Sequence, residues 1–381
     1  MRSFCHFVIF VFLIIERMWY RNSLKISIIF LYLIIVAGAV VRMTGSGMGC
    51  PDWPKCFGYY IPPQEEADLE WEANRFYKEG QVIIRNKELR VASADFETTS
   101  SYNAQNWERY TKHDYSSFNK WHTWIEYINR LVTVLAGIPM LLMVVFAFWY
   151  WKGRPWLIFA SFLVLPLMGF QAWLGKLVVD SNLTPVKITI HMIAALVIAG
   201  LLLFLWFKLR EREVTLSRKR NTNHTVFSER DHSLIYDPTF KYLMLIAVML
   251  TLVQVAMGTQ VRQYVDERVS KVGYEVKSLW LDPPTLGFYV HRSFSILVTL
   301  LNVYVYWRNR KLNLGHTALL NWVLILIGLE VITGVAMYYL DFPFTSQPLH
   351  LVIAALLFGV QFYLVLQSFR PSSDRKGVSA L

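Results

Sequence analysis

The chain has 381 residues, of which 55% are hydrophobic and 17% charged, a balance too apolar for a water-soluble globular protein. Continuous apolar runs exclude a nucleic-acid-binding domain and an outer-membrane barrel, because barrel strands need about ten residues of alternating polarity. The net charge of +11 indicates membrane topology rather than an acidic partner, since basic residues commonly flank membrane spans.

Eight apolar runs approach or exceed the length that crosses the hydrocarbon core of a bilayer, about 20 residues. They are 26–41, 131–149, 156–179, 188–207, 242–261, 288–307, 319–339 and 349–366. The sequence therefore predicts an all-α integral membrane protein with eight transmembrane helices in contact with the lipid bilayer.

An earlier apolar stretch, 4–15, is too short to span and is followed by charged residues. It resembles the apolar part of a signal peptide, but cleavage there would conflict with the charge pattern of the loops. We expect instead a cytoplasmic leader over 1–23, with translation starting at Met18.

Basic residues in the short loops set the orientation of the spans. The side with the excess carries Lys152, Arg154, the basic segment 208–241, Arg308, Arg310, Lys311, Arg370, Arg375 and Lys376. The opposite side carries fewer, and none between spans seven and eight. We therefore predict a multi-pass protein of the inner (plasma) membrane with both termini in the cytoplasm.

The segment 42–119 is the only sizeable region predicted outside the lipid, and this topology makes it extracytoplasmic. It is acidic in its middle and lacks the periodicity of a separate fold, so we expect a partly ordered insertion. The remaining predicted boundaries are a first four-helix unit over 24–208, a basic cytoplasmic linker over 209–241, a second four-helix unit over 242–369 and a cytoplasmic tail over 370–381.

The two groups of four spans share four sequence matches in the same order. These are Gly38-x-x-Val41-Arg42 with Gly258-x-x-Val261-Arg262, Tyr127-x-Asn129-Arg130 with Tyr289-x-His291-Arg292, Gly169-x-Gln171-x-x-x-Gly175 with Gly328-x-Glu330-x-x-x-Gly334, and His191-x-x-x-Ala195 with His350-x-x-x-Ala354. Because each unit has an even number of spans, both insert the same way. We predict two four-helix bundles related by a pseudo-twofold axis along the membrane normal.

His291 and His350 lie at the outer starts of spans six and eight, so their imidazoles can face each other across a bundle. Two histidines on separate helices of a bundle can hold a haem iron from both faces. Arg292 would direct a cation towards the haem propionates. A single histidine at a helix end can equally be an interfacial polar residue, but the repeat favours the haem interpretation.

The first half differs at the matched positions. It has His191 in span four, but Asn129 stands at the other matched position, and an amide oxygen is a poor ligand for haem iron. Glu126 lies three residues before Asn129 on the same helical face. One histidine with a nearby carboxylate is suited to a haem that is reacted upon, with Glu126 as the catalytic acid or base. The alternative for Glu126 is a carboxylate at a helix start, paired with Arg130.

Other histidines have weaker claims to a site. His122 lies two turns before Asn129 and is a second candidate ligand. His113, His224, His232 and His316 fall in predicted loops, where we expect them to be solvated, and His6 falls in the leader.

Cys50 and Cys56 follow the first span on the predicted oxidising side of the membrane, where we expect them to form a disulfide. Two roles stay open for this pair. It is either a structural staple on a proline-rich loop or a redox-active pair that takes electrons from the site beneath it.

The run 37–58, which contains Thr44-Gly45-Ser46-Gly47 and Cys50-Pro51-Asp52-Trp53-Pro54, resembles heme A synthase. So do the Glu126-x-x-x-Arg130 helix start and the repeated histidine helices, and the resemblance covers essentially all eight spans. It implies a membrane oxidoreductase that converts heme O to heme A by oxidising the C8 methyl to a formyl group. It also implies heme O synthase and the cytochrome oxidase assembly machinery as partners, with no nucleic acid.

The resemblance further implies residue roles: haem b at His291 and His350, the substrate haem at His191, a catalytic Glu126, and the external pair Cys50 and Cys56. We add Asn129, Arg130 and His122 as candidate residues for binding the substrate haem. Many family members have a histidine where Asn129 stands here. The first outer loop is also longer than usual, and the second half has no external cysteine pair. We expect His191, alone or with His122, to hold the substrate haem.

Two other classes of function are weighed against this one. A di-haem b electron-transfer cytochrome would require two complete histidine pairs, whereas this chain offers one pair and Glu126. A haem-handling assembly factor or transporter is compatible with the parallel repeat. A reduced-minus-oxidised spectrum and extraction of the bound haems distinguish these classes.

Overall fold

A computed structural model describes residues 2–111, 118–180, 185–221 and 237–369, with side chains described from residue 18 onwards except in 112–117, 180–185, 212–236 and 370–381. The helices are α1 (Arg2–Met43), α2 (Lys120–Ala147), α3 (Pro155–Asp180), α4 (Pro185–Asn221), α5 (Pro238–Val272), α6 (Leu286–Leu312), α7 (Thr317–Tyr339) and α8 (Ser346–Ser368). Within the described residues, eight helices are long and apolar enough to cross a membrane, as predicted.

Several helices begin earlier than the apolar runs because polar side chains cap or occupy their first turns. Asn119 caps α2 by accepting hydrogen bonds from the amides of Trp121 and His122, so this helix starts eleven residues before the predicted span. Asp237 caps α5 in the same way. The backbone of α1 is helical from Arg2, and its candidate membrane span begins at Met18, inside the predicted leader.

Each group of four helices has its own apolar cluster. Residues of α1 to α4, including Tyr20, Leu24, Met140 and Leu202, form one cluster. The other is formed mainly by α5 to α8, together with Ile35 and Leu196 from the first half. Helix α8 contacts both α1 and α4, so the two halves adjoin through these helices. The pseudo-twofold relation between two bundles stays a prediction.

The predicted insertion between the first two spans has more structure than the sequence indicated. Its strands are β1 (Phe76–Tyr77), β2 (Val82–Arg85), β3 (Glu88–Ala92), β4 (Phe96–Glu97) and β5 (Trp107–Arg109). They pair antiparallel as β1–β4 and as β2–β3–β5, with Tyr77, Ile83 and Trp107 buried together. The expectation of a partly ordered insertion was wrong for the described residues, because strands of two to five residues are too short to show alternation.

The predicted linker is helical in its first part, since α4 continues to Asn221. The rest of that linker before Asp237, and the predicted tail over 370–381, lie outside the described residues.

Candidate functional site

The imidazoles of His291 on α6 and His350 on α8 face each other with ring centroids 6.5 Å apart. A metal–nitrogen bond of a histidine is about 2.0–2.1 Å long, so two imidazoles on one ion have centroids roughly 6 Å apart. The Nδ1 atom of His291 is buried without a hydrogen-bond partner among the described residues. The separation therefore fits two imidazoles that would hold one haem iron between them.

No group of three or more His, Cys, Asp or Glu side chains in the described residues could hold a bare metal ion.

A glycine of the preceding helix lies against each histidine of this pair. A Cβ built on Gly258 of α5 would be 3.1 Å from Cε1 of His291, and one built on Gly334 of α7 would be 3.7 Å from Cε1 of His350. A larger side chain at Gly258 would displace the ring. Gly258 and Gly334 correspond to Gly38 and Gly175 in the repeat, so both halves have a glycine at the positions beside these side chains.

The first half repeats the same contacts. A Cβ on Gly38 of α1 would be 4.0 Å from Oδ1 of Asn129, and one on Gly175 of α3 would be 3.4 Å from Cε1 of His191. Oδ1 of Asn129 and Nδ1 of His191 are both buried without a hydrogen-bond partner among the described residues. Buried polar atoms are usually paired, so unpaired atoms at both matched positions are consistent with a polar or metal-containing ligand.

Glu126 is buried, with 4% of its surface exposed, and is already held by two partners. Its Oε1 is 2.5 Å from Nη2 of Arg130, and its Oε2 accepts a 2.9 Å hydrogen bond from the amide of Cys50. Nη1 of Arg130 donates to the carbonyls of Asp52 and Lys55. The pairing with Arg130 that the sequence left open is thus present, and it attaches the loop after α1 to α2.

The loop after α1 is closed by the predicted disulfide between Cys50 and Cys56, and both residues are buried. The hydroxyl of Tyr110 donates to the carbonyl of Pro51. The carboxylate of Asp52 accepts from two amides of the loop. Burial raises the pKa of Asp52, while these amides and Arg130 act in the opposite direction. Burial of both cysteines favours the structural staple.

The remaining predicted ligands are placed differently. The backbone of His122 lies beneath Gly49 of the loop, and within the described residues no hydrogen bond joins its ring to His191 or Asn129. Arg292 is exposed beside His291, which leaves it accessible to an anionic group. The structure thus groups Glu126 and Arg130 with the loop, and His291 with His350.

The expectation that His316 is solvated was wrong. It is 4% exposed, its ring stacks on Phe240 at 4.8 Å, and its Nδ1 is 3.2 Å from Oε1 of Gln367. The loop between α6 and α7 is short, so His316, the residue before α7, is covered by side chains of α5 and α8. Burial lowers the pKa of His316. The other predicted loop histidines, His113, His224 and His232, lie outside the described residues.

Sequence reasoning missed Glu330 and Thr333 of α7 as site residues. Oε2 of Glu330 and Oγ1 of Thr333 lie 2.8 Å and 2.9 Å from Nδ1 of His350. The match between Gln171 and Glu330 in the repeat was the available signal. It placed Glu330 beside span eight but gave no direction for its side chain.

Sequence reasoning also missed an ion cluster between the halves. The matched arginines Arg42 and Arg262 both contact Asp266, at 3.0 Å and 2.7 Å. Nη2 of Arg262 also donates to the carbonyl of Arg42. Asp266 follows the repeated Gly-x-x-Val-Arg motif by one turn and has no acidic counterpart in the first half, where Ser46 is matched.

Eight membrane helices, with histidines facing a glycine of the preceding helix in both halves, define a multi-pass membrane protein of the haem-handling class. The chain belongs to the COX15-CtaA family of cytochrome oxidase assembly proteins, whose family model matches residues 21–98 and 79–362.

Curated relatives agree with this family over most of the chain. The heme A synthase of Wolbachia pipientis is 21% identical over 382 residues, which cover 91% of this chain and 93% of that protein. The heme A synthase of Ruegeria pomeroyi is 23% identical over 363 residues, covering 88% and 83%. The match to the heme A synthase of Shewanella oneidensis is 24% over 202 residues and spans 51% of this chain and 47% of that protein.

Proposed function

We propose that this protein is a heme A synthase, a membrane oxidoreductase that oxidises the C8 methyl of heme O to a formyl group. The observation that carries the proposal is the contrast between the halves. A complete histidine pair lies in the second half, whereas His191 and Asn129 have unpaired polar atoms in the first, where α2 also carries the buried carboxyl group of Glu126. Asn129 disfavours an electron-transfer cytochrome with two equivalent haems.

In the second half, His291 and His350 would hold haem b, which supplies one-electron redox chemistry when it is bound. Gly258 and Gly334 support this role because they leave space for both imidazole rings. The exposed Arg292 would pair with a propionate, since guanidinium groups bind carboxylates in a bidentate manner.

In the first half, His191 would bind the iron of the substrate heme O. Asn129 would leave the other face without a second imidazole, which favours release of the product. Glu126 would exchange a proton near the reacting edge of the substrate. Arg130 holds the carboxyl group of Glu126 in one orientation, so Arg130 acts on substrate through Glu126. His122 would serve as a further ligand only after its helix start moves away from the loop.

Cys50 and Cys56 would keep the external loop closed over the start of α2. The contacts from Arg130 to two loop carbonyls support this role, because they attach the disulfide loop to the same helix turn as Glu126. A staple at this position would exclude water from the substrate site.

We also propose that the protein lies in the plasma membrane with both termini in the cytoplasm. The basic residues of the loops on that side support this orientation. Heme O synthase would supply the substrate, and the assembly of cytochrome oxidase would consume the product.

The test is co-expression with a heme O synthase in a strain that lacks its own heme A synthase, followed by chromatography of extracted haems. The wild-type chain is expected to give heme A, and His191→Ala is expected to give none while keeping haem b. Absence of any hydroxylated or formyl product from the wild-type chain would contradict the proposal. Full heme A production by His191→Ala would contradict the assigned substrate site.

A further inference from the structure

The hydrogen bonds around His350 determine which of its ring nitrogens carries the proton. The hydroxyl of Thr333 donates its proton to the carbonyl of Leu329 or of Glu330, at 2.9 Å and 3.0 Å. With its proton on either carbonyl, its oxygen accepts from Nδ1 of His350, at 2.9 Å. The carboxyl group of Glu330 is a second acceptor at 2.8 Å. Nδ1 is thus the donor, and Nε2 keeps its lone pair for a metal.

The matched region of the first half has neither acceptor at the ring. Gln171 stands where Glu330 does, and its Nε2 donates instead to the backbone carbonyl of His191 at 2.9 Å. Leu174 stands where Thr333 does. Nδ1 of His191 is accordingly without a partner among the described residues. Among the described residues, the ring of His191 therefore lacks the hydrogen bonds that orient the ring of His350.

A carboxylate that accepts from the distal nitrogen of a metal-bound histidine fixes the ring orientation and raises the basicity of the ligand. A more basic ligand stabilises the ferric state relative to the ferrous state and lowers the reduction potential of the iron. Among the described residues, Oε1 of Glu330 is buried without a hydrogen-bond partner, and Oε2 contacts His350. The carboxyl group is therefore directed at the ring of His350.

We propose that Glu330, assisted by Thr333, is a positioning residue that fixes His350 as an Nε2 ligand and lowers the reduction potential of the haem in the second half. This inference rests on the proposed haem b site. In this proposal, side chains of α7 hold the ligand His350 of a resident haem. The ligand His191 of the substrate haem has no such support, so that haem can exchange.

The experiment is a redox titration of the purified protein with haem b and without heme O, combined with electron paramagnetic resonance of the ferric state. Glu330→Gln is expected to raise the midpoint potential by an amount equal to at least a tenfold change in the reduction equilibrium, about 59 mV for one electron. Thr333→Val is expected to give a smaller rise. Glu275→Gln, at an exposed glutamate outside the site, is the matched control and is expected to give no shift.

A wild-type potential and an unchanged ferric spectrum in Glu330→Gln would overturn the inference. If this variant does not retain haem, His350→Gly is reconstituted with imidazole or with 1-methylimidazole, which cannot donate from its methylated nitrogen. Imidazole is expected to give the lower potential, and equal potentials would overturn the inference. Neither readout depends on heme O turnover, so a wild-type protein that fails to make heme A would contradict the proposed function and leave this test intact.

Discussion

In the second half of the chain, two imidazoles face each other at 6.5 Å and one of them is held by a carboxyl group and a hydroxyl. In the first half, the matched helices carry His191 and Asn129, whose polar atoms have no partner among the described residues. The glycines that adjoin these four positions are the same in both halves.

The difference shows how a repeated helical framework can serve two purposes. The glycines and helix positions create space beside a ring or an amide, and this feature is common to both halves. The number of ligands and the groups that hold them differ. We infer that the framework positions the ligands, while the side chains determine whether a bound haem stays or reacts.

The largest expected effect separates the halves by haem content. His350→Ala should remove a ligand of the haem in the second half, so the purified variant should contain little haem b. We expect its affinity for haem to fall by more than about a hundredfold, since losing a group that only orients a metal ligand already lowers metal affinity about 10- to 100-fold. The pyridine haemochrome of purified protein measures this. His191→Ala, at the matched position, is the control and should retain haem b. Equal haem loss in both variants would mean that the halves are not functionally distinct.

A second variant makes the first half resemble the second. Asn129→His should create a second bis-histidine site, because Gly38 leaves room beside this position. We expect a second low-spin haem in the optical spectrum after co-expression with heme O synthase, because residue 129 then supplies a second imidazole to the substrate haem. A single low-spin centre would show that residue 129 does not face the substrate.

The loop after α1, which is closed by a disulfide, gives a test of stability. Glu126→Ala should destabilise the protein by about 3 kcal/mol, because it leaves the partly buried guanidinium of Arg130 without its carboxylate. Thermal unfolding in detergent measures the change. Glu72→Ala, which breaks the exposed pair with Arg75, is the matched control and should cost less than about 1 kcal/mol. Similar losses in both variants would contradict the structural role of Glu126.

Removing the disulfide should have a smaller effect. The double change Cys50→Ser and Cys56→Ser should cost roughly 2 kcal/mol, the loop entropy of a short disulfide. Heme A production at permissive temperature should persist, since a staple takes no part in electron transfer. Complete loss of product with normal folding would instead identify the pair as redox-active.

The smallest expected effect is a pH dependence confined to the second half. Because burial lowers the pKa of His316 in the folded state, its neutral form contributes stability above the unfolded pKa of about 6.5, and this contribution is lost as the pH falls towards the folded value. The melting temperature of the wild type should fall between pH 7 and 5.5 more steeply than that of His316→Gln. Identical slopes would show that His316 does not titrate with unfolding.

The spans and the histidine positions could be predicted from the sequence because both depend on strong local signals. A run of apolar residues crosses a bilayer whatever its neighbours are, and a histidine within such a run is rare. The β-strands of the insertion could not be predicted, since two-residue strands such as Phe76–Tyr77 depend on pairing with distant residues.

The contacts of Glu330, Arg42 and His316 could not be predicted from the sequence either. Each depends on which way a side chain points between helices, and hydropathy does not contain that information. The repeat aligned Glu330 with Gln171, but the two side chains contact different atoms of their histidines. A repeat therefore predicts positions better than it predicts interactions.

The cluster of Arg42, Arg262 and Asp266 has a consequence for biogenesis. Arg42 ends the first span, but its carboxylate partner belongs to the fifth and is synthesised only after the whole first half. Until then the first half has an unneutralised arginine at the end of its first span. Insertion of the fifth span would supply the carboxylate of Asp266. The ion cluster therefore makes the final packing of the first half dependent on insertion of the second half.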